Sequence, residues 1–444
     1  MAVTRDPSVP AEAKVDRALE LHGWQPPSGL ERILLKPNFI RHAHLLRDEH
    51  RQVITQREVI APVVDWVTGW AGDAEIAFAD APEAAADIAA LLERSGAARV
   101  LADKASADGR DYRVEDLRLM RYEARGGVPF QRTQLPGDSR GTTRVNLARR
   151  SCFYGVTGRR YYGADYDIDE TNRHHSGEVQ EYMFSTSALE ADLVVNLPKM
   201  KTHKKAGVTL NLKNLVGLNG NKNWLPHHSI GTPRSGGDAY PDDGLIRRGE
   251  GALLNWLKPR VRDTRVLSQA MRLGRLAGQR VLGDTQTVVR SGNWWGNDTI
   301  WRMILDLNRI LVYARPDGEV ESTPQRRLFS VVDGIVAGDG NGPEAPDPVD
   351  AGIVVVGESF AAVDLVCTRL MGLDWRRIPH LAHLFDTHEL PLVDFEYEDI
   401  EVVSDHEPWN RRLSDIERAD CLSFRPHFGW RGHIELPDQA RAAL

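Results

Sequence analysis

The strongest constraint on the fold is the order of segment types in the first hundred residues. Arg32-Ile-Leu-Leu-Lys36-Pro37 is a short apolar run stopped by a proline, which suits a covered parallel strand. Val53–Trp70 carries apolar residues at helical spacing, Glu75–Ala79 reads as a second strand ending in Asp80-Ala-Pro82, and Glu83–Gly96 as a second helix with a glycine stop. This β-α-β-α alternation implies a parallel sheet with helices on its faces.

The rest of the chain continues in the same idiom. Asp192–Pro198, Leu328–Val332 and Gly352–Val356 read as strands, and Ala361–Gly372 as a helix. Between them the patterns predict a charged helix around Val114–Ala124, strands near Val128–Gln131 and Thr143–Leu147, a loop over Asp165–Ser176 and helices over Glu178–Ala191 and Gly207–Val216. Helical stretches near Leu245–Leu257, Val266–Val281 and Thr299–Tyr313 suggest an insertion, whose Trp294-Trp295 would serve packing or a lid. The expected class is α/β, a mostly parallel sheet covered by helices with an inserted helical cap. Its divisions are an extension over 1–24, an α/β lobe over 25–230, the cap over 231–325, a second α/β portion over 326–400 and a tail over 401–444.

Composition narrows the function classes. With 444 residues, 41% hydrophobic and 27% charged, the chain reads as an ordinary globular protein longer than one typical domain. A net charge of −7 argues against a dedicated nucleic-acid binder, though not against a local basic pocket. The N-terminus lacks the apolar core of a signal peptide and no apolar run approaches a membrane span, so a cytoplasmic location is expected. Cys152, Cys367 and Cys421 are scattered and odd in number, which fits a reducing compartment and supplies too few thiolates for an iron–sulfur cluster.

Positive charge is unevenly typed. Only 10 of the 56 basic residues are lysines, and six of those lie between Lys199 and Lys222, a stretch without arginine. A solvated basic loop would carry the arginine-heavy mixture of the rest of the chain. A compact, titratable ammonium is instead what an anion site or a reacting amine requires. Crowded ammonium groups oppose one another's protonation, so either an anion neutralises them or some lysines have lowered pKa values.

On this reasoning Lys199, Lys201 and Lys205 are candidate anion ligands, His203 a general acid or base, and Lys213 a tether, nucleophile or second anion contact. Lys204 is expected to face solvent. Lys36 and Asn38 stand at a strand end, Asn214 follows Lys213, and the Gly-rich run through Gly340-Asn341 could offer backbone N–H groups to an anion. The His174-His175 and His227-His228 pairs flank the cluster; His174, His228 and Asp333 are candidate ligands for a divalent metal, although no zinc or calcium spacing is present. The expected partner is an anionic small molecule, with neither nucleic acid nor membrane involved.

Taken together, Lys36-Pro37-Asn38, Asn196-Leu-Pro-Lys199-x-Lys201-Thr202-His203, Leu212-Lys213-Asn214-Leu-x-Gly217 and Val332-Asp333-Gly334 with Gly340-Asn341-Gly342-Pro343 resemble the family known as domain of unknown function 362 over roughly residues 30–385. That resemblance leaves the activity open. Some relatives carry a ferredoxin-like module, for which this chain has no clustered cysteines. A more distant likeness, His203-x-x-Ala206-Gly207-x-Thr209-x-x-x-Lys213, is to lactate-racemase-type enzymes that use a nickel-pincer nucleotide. It implies a catalytic His203, a cofactor tether at Lys213 and a metal-binding His227 or His228. The readings are thus an enzyme acting on a carboxylated or phosphorylated small molecule, a nickel-nucleotide isomerase or redox enzyme, or a non-catalytic binding protein for an anionic metabolite or polymer.

Overall fold

The computed structural model describes residues 1–125, 128–165, 167–242 and 288–437. Its centre is an 11-stranded sheet. In chain order the strands are β1 (Ala2–Thr4), β2 (Arg32–Pro37), β3 (Glu75–Asp80), β4 (Tyr112–Asp116), β5 (Leu193–Leu197), β6 (Lys199–His203), β7 (Gly207–Thr209), β8 (Arg327–Asn341), β9 (Ala345–Val349), β10 (Ile353–Gly357) and β11 (Val403–Ser404). Along the sheet they lie β11-β1-β10-β8-β5-β2-β3-β4, with β6 and β9 both pairing the long strand β8 and β7 pairing β6. The block β8-β5-β2-β3-β4 is parallel throughout, while β10 and β9 run antiparallel to β8. The class expected from sequence, α/β with a mostly parallel sheet, is the class found. Strands from 25–230 and 326–400 share this one sheet.

Alternation along each strand divides the apolar residues between two cores. Ile33, Leu35, Val195 and Val331 pack on one face with helices α1 (Lys14–His22), α2 (Arg57–Trp70) and α3 (Ala97–Asp108). Leu34, Val194, Val332 and Val355 pack on the other with α4 (Asn211–Asn214), α5 (Ile300–Tyr313) and α6 (Phe360–Leu370). Because both faces are covered, the central strands are mainly apolar, which is why they were legible. Among the described residues no helix is long and apolar enough to cross a membrane.

Several expected elements change type. Val114–Ala124 is not a helix: β4 pairs in register with β3, and Met120–Arg125 forms a separate hairpin with Val128–Gln134, because an open sheet edge outweighs local propensity. Glu178–Ala191 begins as a strand, Val179–Ser185, whose Gln180, Tyr182 and Phe184 are buried at period two; Ser185 then caps a short helix, Thr186–Glu190. The expected loop over Asp165–Ser176 contains a helix, Ile168–Arg173, capped by Asp167. Glu83–Gly96 is helical only over Ile88–Arg94, from the Asp87 cap, and Gly207–Val216 divides into β7 and α4. The stretches near 245–257 and 266–281 lie outside the described residues; α5 is present as expected.

Candidate active site

The lysine cluster is a strand extension rather than a loop. After β5 ends at Leu197, Pro198 interrupts the ladder and the chain continues as β6, still alongside β8, with Lys199 opposite Asp333 and Lys201 opposite Gly338. The chain then turns at Gly207, whose φ of +81° is open to glycine, and β7 returns antiparallel to β6. Lys199 and Lys201 are 0% exposed. Beyond the carboxyl ends of β2, β3 and β5, this hairpin and α4 wall a cavity of about 270 Å³ that Lys201, His203, Lys204, Lys205, Thr209 and Lys213 all line.

The buried lysines divide by partner. Lys36 Nζ lies 2.9 Å from Asp80 Oδ1 and also donates to the Pro37 carbonyl at 2.8 Å. Lys199 Nζ lies 2.8 Å from Asp333 Oδ2, with neither side chain exposed. Lys222 Nζ donates to the carbonyls of Ala81, Val216 and Asn219, tying the end of β3 to the turn after α4. Burial lowers its pKa to about 7. These three are held by the fold. Lys201 donates to Asn38 Oδ1 at 2.8 Å and to the Val53 carbonyl, and burial with the charges of Lys199 and Lys213 holds its pKa well below the usual lysine range.

Lys213 is different. Its Nζ has no hydrogen-bond acceptor and no carboxylate partner among the described residues, and burial, aided by the charge of Lys36, lowers its pKa to about 8. It rides on α4, whose first turn is fixed by Asp364: Oδ1 accepts from Asn211 N and Nδ2 at 2.8 and 2.9 Å, and Oδ2 accepts from Leu212 N at 2.9 Å. An amide chain continues from there to the cavity. Asn196 Nδ2 donates to Asn211 Oδ1, Asn214 Nδ2 to Asn196 Oδ1, and Asn38 Nδ2 to Asn214 Oδ1 at 2.6 Å. Asp364→Ala should therefore release α4 and cost about 2–3 kcal/mol by leaving buried N–H donors unpaired. Chemical denaturation would check the loss, and hydrogen exchange at Asn211 and Leu212 would show it is local.

The imidazoles are set by backbone contacts. His203 Nδ1 accepts from Lys205 N and Ala206 N, both at 3.0 Å, so the ring proton sits on Nε2. His227 Nδ1 lies 2.8 Å from the Leu225 carbonyl, which can only accept, so the proton sits on Nδ1 and Nε2 keeps its lone pair. Burial and then Lys213 are the main causes holding both rings well below the usual imidazole range. His203 is thus a neutral donor; its Nδ1 lone pair is already occupied, which speaks against the expected general base.

Carboxylates occupy another part of the wall. Glu344 Oε1 lies 3.0 Å from Lys204 Nζ, so Lys204 is an ion-paired lining residue rather than the solvent-facing one expected. Burial and the nearby charge of Glu344 raise Glu83 to about 7. Gly217 completes the floor: a Cβ there would collide with Asp80 Oδ1 and stand 2.6 Å from Lys36 Nζ, so only glycine lets this turn sit on the ion pair.

Of the other candidates, Asn38, Asn214 and Lys205 line the cavity, while Lys36 and Lys199 lie behind it, neutralised by Asp80 and Asp333. Gly340 and Asn341 are not part of a phosphate-cradling loop; they end β8 in a hairpin with β9, and the Gly340 N–H is taken by the Arg425 carbonyl. The metal candidates do not come together. His174 stacks on Trp224 with its Nδ1 2.7 Å from Glu181, His228 lies against Lys205 and Tyr162, and Asp333 faces Lys199. Among the described residues no group of three His, Cys, Asp or Glu side chains is placed to hold a metal ion. Asp80, Thr209, Glu83 and Glu344 were not singled out as site residues; Asp80 had a signal, its place at the carboxyl end of a predicted strand.

A family model described as domain of unknown function (DUF362) matches residues 137–369. No curated protein matches the chain. Among solved structures, the crystal structure of a Thermotoga maritima protein, a Northeast Structural Genomics Consortium target, is similar at 10% identity and a TM-score of 0.34, covering 81% of this chain and 57% of that one. The chain thus spans less than two thirds of that protein's length.

Proposed function

The chain belongs to the DUF362 family, and from the cavity whose lysine and histidine wall lies in the matched segment we propose an enzyme that acts on an anionic, carboxylated or phosphorylated small molecule. The observation that carries this reading is Lys213, a cavity-lining ammonium with no acceptor among the described residues and a pKa of about 8. Structural lysines do not need this combination. Lys36, Lys199 and Lys222 are all buried, yet each is given acceptors by the fold. At neutral pH roughly a tenth of Lys213 would be free amine, against less than a thousandth for an ordinary lysine. The protonated majority binds an oxyanion; the free fraction serves as base or nucleophile. His203 donates its Nε2–H to the same ligand.

A second reading has its own support. His203, Lys213 and His227 line one cavity, the grouping that a tethered nickel-nucleotide group would need. The free Nζ of Lys213 suits the tether and the Nε2 lone pair of His227 suits a metal. Such a group would supply isomerase or redox chemistry when bound.

Native mass spectrometry with metal analysis of freshly purified protein separates these readings from a non-catalytic binder. The expected result is a covalent adduct, or turnover of a copurified anion, that is lost in Lys213→Arg and persists in Lys104→Arg, a lysine paired on the surface with Asp65. Arginine keeps the charge but cannot act as an amine near neutral pH. If Lys213→Arg retains the ligand and any turnover of it as wild type does, Lys213 is only a charge and the binding-protein reading moves ahead.

A further inference from the structure

The two cavity-lining histidines are complementary. His203 presents Nε2–H because two backbone N–H groups occupy its Nδ1, and His227 presents a bare Nε2 because its Nδ1–H is spent on the Leu225 carbonyl. Their rings are close enough to act on each other electrostatically. No donor among the described residues reaches His227 Nε2, and no acceptor reaches His203 Nε2 or Lys213 Nζ. We propose that the ligand of this cavity is an oxyanion that itself carries a hydrogen-bond donor, and that His227 is the specificity-determining residue that reads that donor. This rests on the anion-binding reading above.

A fully deprotonated oxyanion offers only acceptors. His203 Nε2–H and Lys213 Nζ satisfy these, but an oxygen turned toward His227 meets another lone pair, and where the bound ligand displaces water from that face both lose hydrogen bonds they had in solution. His227 cannot escape by taking up a proton, since burial and the charges of Lys213 and Lys205 oppose an imidazolium. An oxyanion with an adjacent hydroxyl or amino group, or a phosphate keeping one P–OH, satisfies every group at once. Discrimination arises from the unpaired acceptor imposed on the wrong ligand, not from charge.

Inorganic phosphate and sulfate isolate this difference, because they share shape and near neutrality only phosphate carries O–H. Isothermal titration at pH 7 and constant ionic strength should show phosphate binding at least about tenfold more tightly than sulfate. Lys213→Met should weaken both. His227→Phe, which removes the acceptor, should bring the two ions within about twofold of each other. If His227→Phe does not melt cooperatively, His227→Gln serves, since its amide NH₂ donates to either ion. Equal binding of phosphate and sulfate by wild type would overturn the donor reading and leave the anion reading standing. A phosphate preference that survives both His227 variants would remove His227 from the role. Binding of neither ion up to about 20 mM would sink the anion reading and this proposal together.

Discussion

Lys213→Met is expected to be more stable than wild type at pH 7. The fold holds the Lys213 pKa at about 8 against 10.5 for the free side chain, an interval worth about 3 kcal/mol. The sign follows from proton counting. Between pH 8 and 10.5 the unfolded chain binds a proton at Lys213 that the folded chain does not, so wild-type stability rises with pH across that window. The methionine variant lacks this slope. Its advantage should be full below pH 8 and gone by about pH 10.5. Urea denaturation at pH 7 and pH 10 measures it, and competitive acylation with mass spectrometry should place the Lys213 midpoint near pH 8 in wild type. A Met variant no more stable than wild type at pH 7 would mean that Lys213 is not a desolvated cation. Such a stabilising loss is the mark of a residue kept for function.

The opposite outcome is expected at Lys199. With neither Lys199 nor Asp333 exposed and 2.8 Å between them, Lys199→Met leaves a buried carboxylate with only N–H donors, from Gln56 at 2.9 Å and Ile335 at 3.3 Å. The loss should be about 3–5 kcal/mol. Replacing both partners, Lys199→Met with Asp333→Leu, should recover most of it, because the desolvation of both charges is then avoided. Thermal and urea melts of the three variants decide the matter. If the double variant is as unstable as the single one, the pair is not a simple buried charge couple.

Lys199 and Lys213 look alike in sequence, as members of one cluster, and this marks what local pattern can carry. The strands β2, β3, β5 and β10 were legible because a doubly covered strand must be mainly apolar, and the placing of the lysines at a strand's carboxyl end followed from Asn196-Leu-Pro198. The edge strand β4 and the strand Val179–Ser185 were misread as helices, since their amphipathic spacing was short enough to fit either period and only sheet pairing decided it. The site divides in the same way. Lysine enrichment singled out the segment, but whether a given ammonium is given a partner depends on residues far off in the chain: the Asp80 carboxylate for Lys36, the Asp333 carboxylate for Lys199, the Ala81 carbonyl for Lys222 and none of these for Lys213. The choice between His227 and His228 was likewise beyond sequence, because adjacent side chains diverge and one carbonyl, that of Leu225, sets which nitrogen of His227 is bare. Sequence by itself determined the fold class, the family motifs and the chemistry available. Tertiary structure alone decided which charges are cancelled, because Coulomb energy in a dry interior depends on distances of a few ångströms that no spacing along the chain encodes.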